Sequence, residues 1–197
     1  MQDSSPQRPI AYTLRVLAAL LRYPDAALRA AVPELQEALD REAALPLPRV
    51  LELHALLQRL QREDAFITEA EFVELFDRGR STALHLFEHV HGDSRDRGPA
   101  MVDLTQTYER AGLLLDPGEL PDHLPVVLEF ASTQPPQSAA AFLAEFAHIL
   151  RAIFSALQRR NSAYASVLAA LLELAGERAE AVEIPPEPAL DDSWAEP

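Results

Sequence analysis

Two stretches, FVELFDRGRSTALHLFEHVHGDSRDRG over residues 72–98 and ELPDHLPVVLEF over 119–130, interleave charge, histidine and large apolar side chains more densely than the rest of the chain. Charged residues stand directly beside Phe, Leu and Val, where a helical surface either buries them or uses them. Thr68 and Glu71 have the spacing of a capping box, which predicts a helix through EAEFVELFD that Gly79 breaks. Ser81 is placed to cap a second helix through Leu84, Phe87 and Val90, closed by Gly92 in a left-handed turn. Ahead of the second stretch, LDPGELPDHLP holds three prolines and one glycine in eleven residues and reads as a hinge or inter-subdomain turn. Asp122 then caps a helix whose apolar face is Leu124, Val127, Leu128 and Ala131.

Outward from these stretches the pattern stays helical. Leu14, Leu17 and Leu21 recur at helical spacing until Pro24, and Asp25 caps a helix that Pro33 interrupts or restarts. Pro46 and Pro48 mark a turn before a stripe of Val50, Leu53, Leu57 and Leu60. Gly98-Pro99 opens a helix with Met101, Leu104 and Tyr108 on one side, stopped at Gly112. After Pro135-Pro136, Ser138 to Arg160 is the longest helical run, followed by a break at Asn161-Ser162 and a last apolar helix that Gly176 ends. No useful strand alternation and no fixed-period repeat occurs. The expected fold is an all-α bundle of roughly eight to ten helices, either one body or two lobes hinged at the proline-rich loop. Residues 1–10 read as a loose arm, 11–176 as the helical domain, and 177–197 as an acidic, proline-rich, disordered tail with seven acids and one Arg.

Composition narrows the function. The chain of 197 residues has no cysteine, which removes disulfides, thiolate nucleophiles and cysteine-ligated metals. Its net charge of −14, from 31 acids against 17 bases, all of them Arg, repels nucleic acid and anionic lipid and suits a basic peptide. The N-terminal residues show no basic segment followed by an apolar core, and no run approaches a membrane span, so a soluble, unexported protein is expected.

His85, Glu88 and His89 spell H-x-x-E-H, an arrangement one class of zinc peptidase uses; a zinc-dependent hydrolase is the enzymatic alternative, against surface histidines on a helix. Asp77, Arg78, Arg80, Asp93, Arg95, Asp96 and Arg97 alternate in sign, which fits either a mutually neutralising surface or, with Asp77, Glu88 and Asp103, carboxylates facing a groove and awaiting a partner's arginines. Asp122-His123 is a helix cap with a neighbouring imidazole, or a proton-sensing or ligand-anchoring pair at a hinge. Phosphate-binding glycine loops and G-x-S-x-G are absent, so no catalytic set is expected.

Over Phe72–Leu113 and Glu119–Phe130, and more weakly in LLRYPD near the start and AHILRAIFSAL near the end, the chain resembles the NarJ family of nitrate reductase assembly chaperones, within the wider TorD/DmsD group. The resemblance implies a cytoplasmic all-α chaperone, not an enzyme, that binds the catalytic (alpha) subunit of respiratory nitrate reductase through its N-terminal segment. It would hold that subunit competent for molybdenum cofactor insertion before membrane attachment, binding no cofactor stably itself. A related molybdoenzyme is the alternative cargo. Combined with the residue patterns, the expected cargo-binding set is Asp77, Glu88, His89, Asp103, Tyr108, Asp122 and His123. The PDH loop, Pro121 to His123, is expected near the cargo groove, and the resemblance makes H-x-x-E-H look accidental. Replacing Asp122 and His123 together with alanine is expected to weaken cargo binding and leave helicity unchanged.

Overall fold

The computed structural model describes residues 9–92 and 94–182. Ten α-helices are found among them: α1 (Ala11–Leu20), α2 (Ala26–Glu42), α3 (Leu47–Arg62), α4 (Ala65–Phe72), α5 (Leu86–His91), α6 (Arg97–Arg110), α7 (Leu124–Ser132), α8 (Pro136–Glu145), α9 (Ala147–Arg159) and α10 (Ala165–Leu174). A π-helical turn, Val73–Asp77, extends α4, and a 3-10 turn, Arg80–Thr82, precedes α5. No strand forms among the described residues, and the all-α expectation holds.

The most apolar helices sit innermost. All seven residues from Ser166 to Leu172 of α10 are buried, as are eight of α7. α1 packs along α7 with Leu14, Leu17 and Leu20 fully enclosed, and α2 and α3 follow it around the outside. Buried residues on both sides of the proline-rich loop belong to one core cluster, from Ile10 to Leu172.

Several boundaries follow the sequence. The Asp25 carboxylate accepts the Leu28 N–H at 2.8 Å and starts α2. Asn161 and Gly176 take positive φ where α9 and α10 end. Others are corrected. Pro33 sits inside α2 without breaking it. The helix expected from Thr68 begins at Ala65, capped by Asp64, whose carboxylate accepts the Phe66 N–H at 2.8 Å. Thr68 instead meets the half-buried guanidinium of Arg29, and Glu71 forms a two-pronged pair with Arg59 that ties α4 to α3. Ser81 does not cap α5; it lies in the 3-10 turn and α5 starts five residues later. The long run from Ser138 is two helices bent by 69° at Phe146. No single described helix is long and apolar enough to cross a membrane; only this bent pair has the composition, and much of α9 is buried inside the fold.

Residues 1–8 and 183–197, where the arm and most of the tail were placed, lie outside the described residues, as does Asp93. Ile10 is already core, and residues 177–182 lie against α9: Glu177 pairs with Arg151 at 2.7 Å and the Val182 N–H reaches the Ser155 hydroxyl at 2.9 Å.

Candidate functional site

The turn after α4 builds one wall of an open groove. The bond from Arg78 N–H to Val73 carbonyl, 3.1 Å, spans five residues and adds one residue to the turn. Phe72 and Phe76 both point inward, ring centroids 4.8 Å apart, and the Phe76 ring meets Tyr164 edge-on at 5.1 Å. The chain then has to reverse at once. Gly79, with an ordinary negative φ of −86°, is needed for space: a Cβ there would overlap the Leu75 carbonyl and the Thr82 hydroxyl, which bond each other.

The opposite wall comes from a crossing of two loops. Leu86 N–H donates to the Asp122 carbonyl at 3.0 Å and Leu124 N–H to the Leu84 carbonyl at 2.8 Å, an isolated antiparallel bridge pairing His85 with His123. Their rings stack with centroids 4.9 Å apart. The Asp122 carboxylate, fully buried, does not cap α7 as expected. It accepts the Phe87 N–H at 3.1 Å and so caps α5, which has no side-chain cap of its own. His85 Nδ1 lies 3.6 Å from its other oxygen, and Arg97 lies 3.9 Å from the oxygen that accepts the Phe87 N–H, ion-pair rather than hydrogen-bond separations.

Between these walls lies a groove of about 880 Å³, floored by Leu21, Phe72, Phe76 and Leu84 and rimmed by Arg22, Tyr23, Asp25, Asp77, Arg78, Arg80 and Glu88, with His85 and His123 at one side. A helix with its side chains occupies about 420–610 Å³ per turn, from a diameter of about 10–12 Å and a 5.4 Å pitch, so the groove takes between one and two turns of a helical peptide. Its rim is charge-balanced, with three arginines and three carboxylates, where mainly carboxylates were expected. Arg22 is engaged by Glu129 at 2.7 Å and Arg78 by Glu74 at 3.5 Å.

Of the seven expected residues, Asp77, Glu88 and His123 line the groove and Asp122 lies beneath its His85–His123 side. The other three are elsewhere. His89 turns its Nε2 to the Ala83 carbonyl at 2.8 Å, Asp103 is exposed on α6, and Tyr108 is buried against Phe130 with its hydroxyl donating to the Pro121 carbonyl at 2.7 Å. The H-x-x-E-H reading also dissolves, because His85 is extended backbone before α5 and does not share a helical face with His89. No group of three or more possible metal ligands occurs among the described residues. Arg22 and Tyr23, noted only within LLRYPD, and Arg80, noted only among the alternating charges, also line the groove but were not in the expected set.

The stacked histidines behave oppositely. The Asp122 carboxylate raises the pKa of His85 above its ordinary 6.5. Burial, then the charges of His85 and Arg22, push His123 down to about 4. Burial alone would raise Asp122, but His85, the Phe87 N–H and Arg97 hold it below the usual carboxylate value. Unfolded His123 therefore takes up a proton that the folded ring refuses, and stability is lost as pH falls from 6.5 towards 4. His85 contributes the other way, its gain complete below pH 6.5 and lost as pH rises through its raised folded value. Urea midpoints at pH 7, 5.5 and 4.5 (about) for the parent and His123→Phe test this: the variant shows a shallower acid slope.

The arrangement is that of a binding protein: an apolar-floored, charge-rimmed groove in an all-helical body. A family model described as "Nitrate reductase delta subunit" matches residues 22–170. The chain is 46% identical over 162 residues to the "Nitrate reductase molybdenum cofactor assembly chaperone NarJ" of Escherichia coli K12, covering 82% of this chain and 69% of that protein. It is 34% identical over 164 residues to the "Probable nitrate reductase molybdenum cofactor assembly chaperone NarJ" of Bacillus subtilis 168, covering 81% and 86%. With the "Nitrate reductase-like protein NarX" of Mycobacterium tuberculosis H37Rv it shares 35% over 153 residues, 77% of this chain but 22% of that one. The chain belongs to the nitrate reductase delta subunit family.

Proposed function

We propose that this chain is a dedicated cytoplasmic chaperone, not an enzyme, that binds the apo catalytic subunit of a respiratory nitrate reductase through its N-terminal segment. It holds that subunit open for molybdenum cofactor insertion before membrane attachment, and the cofactor enters the cargo rather than residing in the chaperone. The observation carrying this reading is the 46% identity, across 82% of the chain, to a protein of E. coli named for that assembly. The groove supports it chemically. An amphipathic helical segment lays its apolar side on Phe72, Phe76 and Leu84 and turns its cations to Asp25, Asp77 and Glu88.

Calorimetric titration with a synthetic peptide, the N-terminal segment of the same organism's catalytic subunit, tests this. Micromolar or tighter binding is expected, about −8 kcal/mol, weaker at high salt because the rim charges are exposed to screening. Asp77→Asn with Glu88→Gln removes two rim carboxylates and weakens binding about tenfold. No binding at low or high salt rejects the groove as the receptor for that segment and turns attention to the corresponding segments of other molybdoenzymes.

A further inference from the structure

After α6 the chain turns back over a second, smaller cleft that lies outside the groove. The Leu113 N–H bonds the Tyr108 carbonyl at 3.0 Å, the Glu119 N–H bonds the Asp116 carbonyl at 3.1 Å, and the Tyr108 hydroxyl holds the far end of the loop at Pro121. Tied at both ends, this loop faces Tyr108, Val126 and Phe130 across about 200 Å³ of space. One helical turn with its side chains occupies about 420–610 Å³, so the cleft admits a side chain or two rather than a helix. Leu113 and Leu115 pack against the core, while Leu114 stands 85% exposed at the lip. Three carboxylates, Asp116, Glu119 and Glu129, line the cleft and no base does, unlike the balanced rim of the groove. An apolar floor with an acidic edge complements a segment that carries a cation next to an apolar side chain.

One cation of the chain already sits on that edge from outside. Arg22, on the groove rim, places Nη2 2.7 Å from Glu129 and 3.5 Å from Glu119, so a single guanidinium stands between groove and cleft. The side chains of Arg22, Glu129 and Glu119 are 45%, 49% and 34% exposed, and ion pairs this open to water are weak, so another guanidinium exchanges with Arg22 at little cost. Arg15, the other cation beside Glu129, is held elsewhere. Its Nε donates to the Ser132 hydroxyl at 3.2 Å and its guanidinium lies 5.9 Å from the centre of the Tyr12 ring. Asp116 is exposed and has no ion-pair partner among the described residues, so the edge keeps a free charge even with Arg22 in place.

We propose that this cleft is a second anchoring point for the cargo segment, taking one arginine and its apolar neighbour, and that Arg22 is a built-in stand-in which the incoming guanidinium displaces from Glu119 and Glu129. The inference rests on the groove being the receptor for a basic, amphipathic segment and extends that site past α1 to the loop before α7. Moving Arg22 aside opens the groove to the cleft, so the bound segment reaches beyond the one to two turns that the groove alone accommodates. Specificity then resides in the pairing of cation and apolar side chain, since a cation alone gains nothing over Arg22 and an apolar side chain alone leaves Arg22 in place.

The test uses a small probe, N-acetyl-leucyl-arginine amide, titrated into the intact protein and followed by amide NMR shifts. In Arg22→Ala the internal competitor is gone, and the probe binds about three- to tenfold more tightly than to the parent, with shifts at Leu113 to Asp116. Arg22 is half-exposed, so its removal leaves the fold intact. The same probe with norleucine in place of arginine, which lacks the guanidinium, binds parent and variant alike. Adding Glu119→Gln with Glu129→Gln to Arg22→Ala abolishes the gain. Equal affinity of the arginine probe for parent and Arg22→Ala, a gain that the norleucine probe shares, or shifts confined to the groove overturns the proposal, as does the absence of saturable binding to either protein. No cargo enters the measurement, so its failure leaves the chaperone reading standing, and failure of the catalytic-subunit peptide to bind would be seen separately in the calorimetry above.

Discussion

Asp122→Ala lowers the stability of the protein by about 2–4 kcal/mol, read as a fall in urea midpoint at unchanged slope. The carboxylate is fully buried and does three things: it caps α5 through the Phe87 N–H, it holds the proton on His85, and it faces Arg97. Removing it leaves a buried donor at the start of a six-residue helix that has no local cap to fall back on. Arg97 keeps Glu88 at 3.4 Å, so its charge is not stranded and the cost stays within that range. Asp122→Asn, which can still accept the Phe87 N–H but loses the charge, costs about half as much and returns His85 to a lower pKa, visible in its proton NMR titration. An Asp122→Ala protein with the parent's midpoint would show that α5 is held by its apolar contacts alone. The expectation that replacing Asp122 and His123 leaves helicity untouched changes with this burial: α5 frays with its cap, and a binding defect in the double variant must be read beside its stability.

Gly79→Ala costs about 3 kcal/mol, a fall in Tm of about 6–12 °C for a domain of this size. Backbone strain is not the cause, since φ at Gly79 is −86°. The added methyl group would overlap the Leu75 carbonyl, fixed in the π turn, and the Thr82 hydroxyl, and Arg160 closes the third side at 3.3 Å. The site can relieve the overlap only by moving the wall that carries Asp77 and Arg80, so peptide affinity falls with stability. Gly98→Ala is the control. No atom lies within 4 Å of its added carbon, and within α6 the change is neutral or stabilising by about 0.5–1 kcal/mol. Equal melting temperatures for Gly79→Ala and the parent would mean the turn accommodates a side chain and is not the close contact described.

Local rules carried much of the fold. Asp25 capping α2, the Pro24 stop, and the ends at Asn161 and Gly176 depend on interactions within a few residues, and those were legible. Two helix starts were not, because their caps come from elsewhere. α1 is capped by Glu42, whose carboxylate accepts the Thr13 N–H at 2.6 Å and the Tyr12 N–H at 3.1 Å, and α5 by Asp122, 35 residues from Phe87. The bend at Phe146 was invisible for a different reason: the apolar stripe runs on unbroken, and no proline or glycine marks the change of direction. Asp77 and Glu88 do line the groove, and the cue that led to them was charge beside large apolar residues. Tyr108, His89 and Asp103 satisfied the same reading yet face other ways, since sequence spacing does not say which side of a helix the fold covers.

The π turn at Val73–Asp77 gives the chain a length it cannot shed. One residue more than an α-turn passes between Phe72 and Gly79, and a one-residue deletion there closes the turn to ordinary α-helix and removes the widening that places Asp77. Asp77 would leave the rim, and Gly79 would no longer lie against the Leu75 carbonyl. In this chain the length of the turn, and not only the side chains it carries, therefore sets the shape of that wall of the groove.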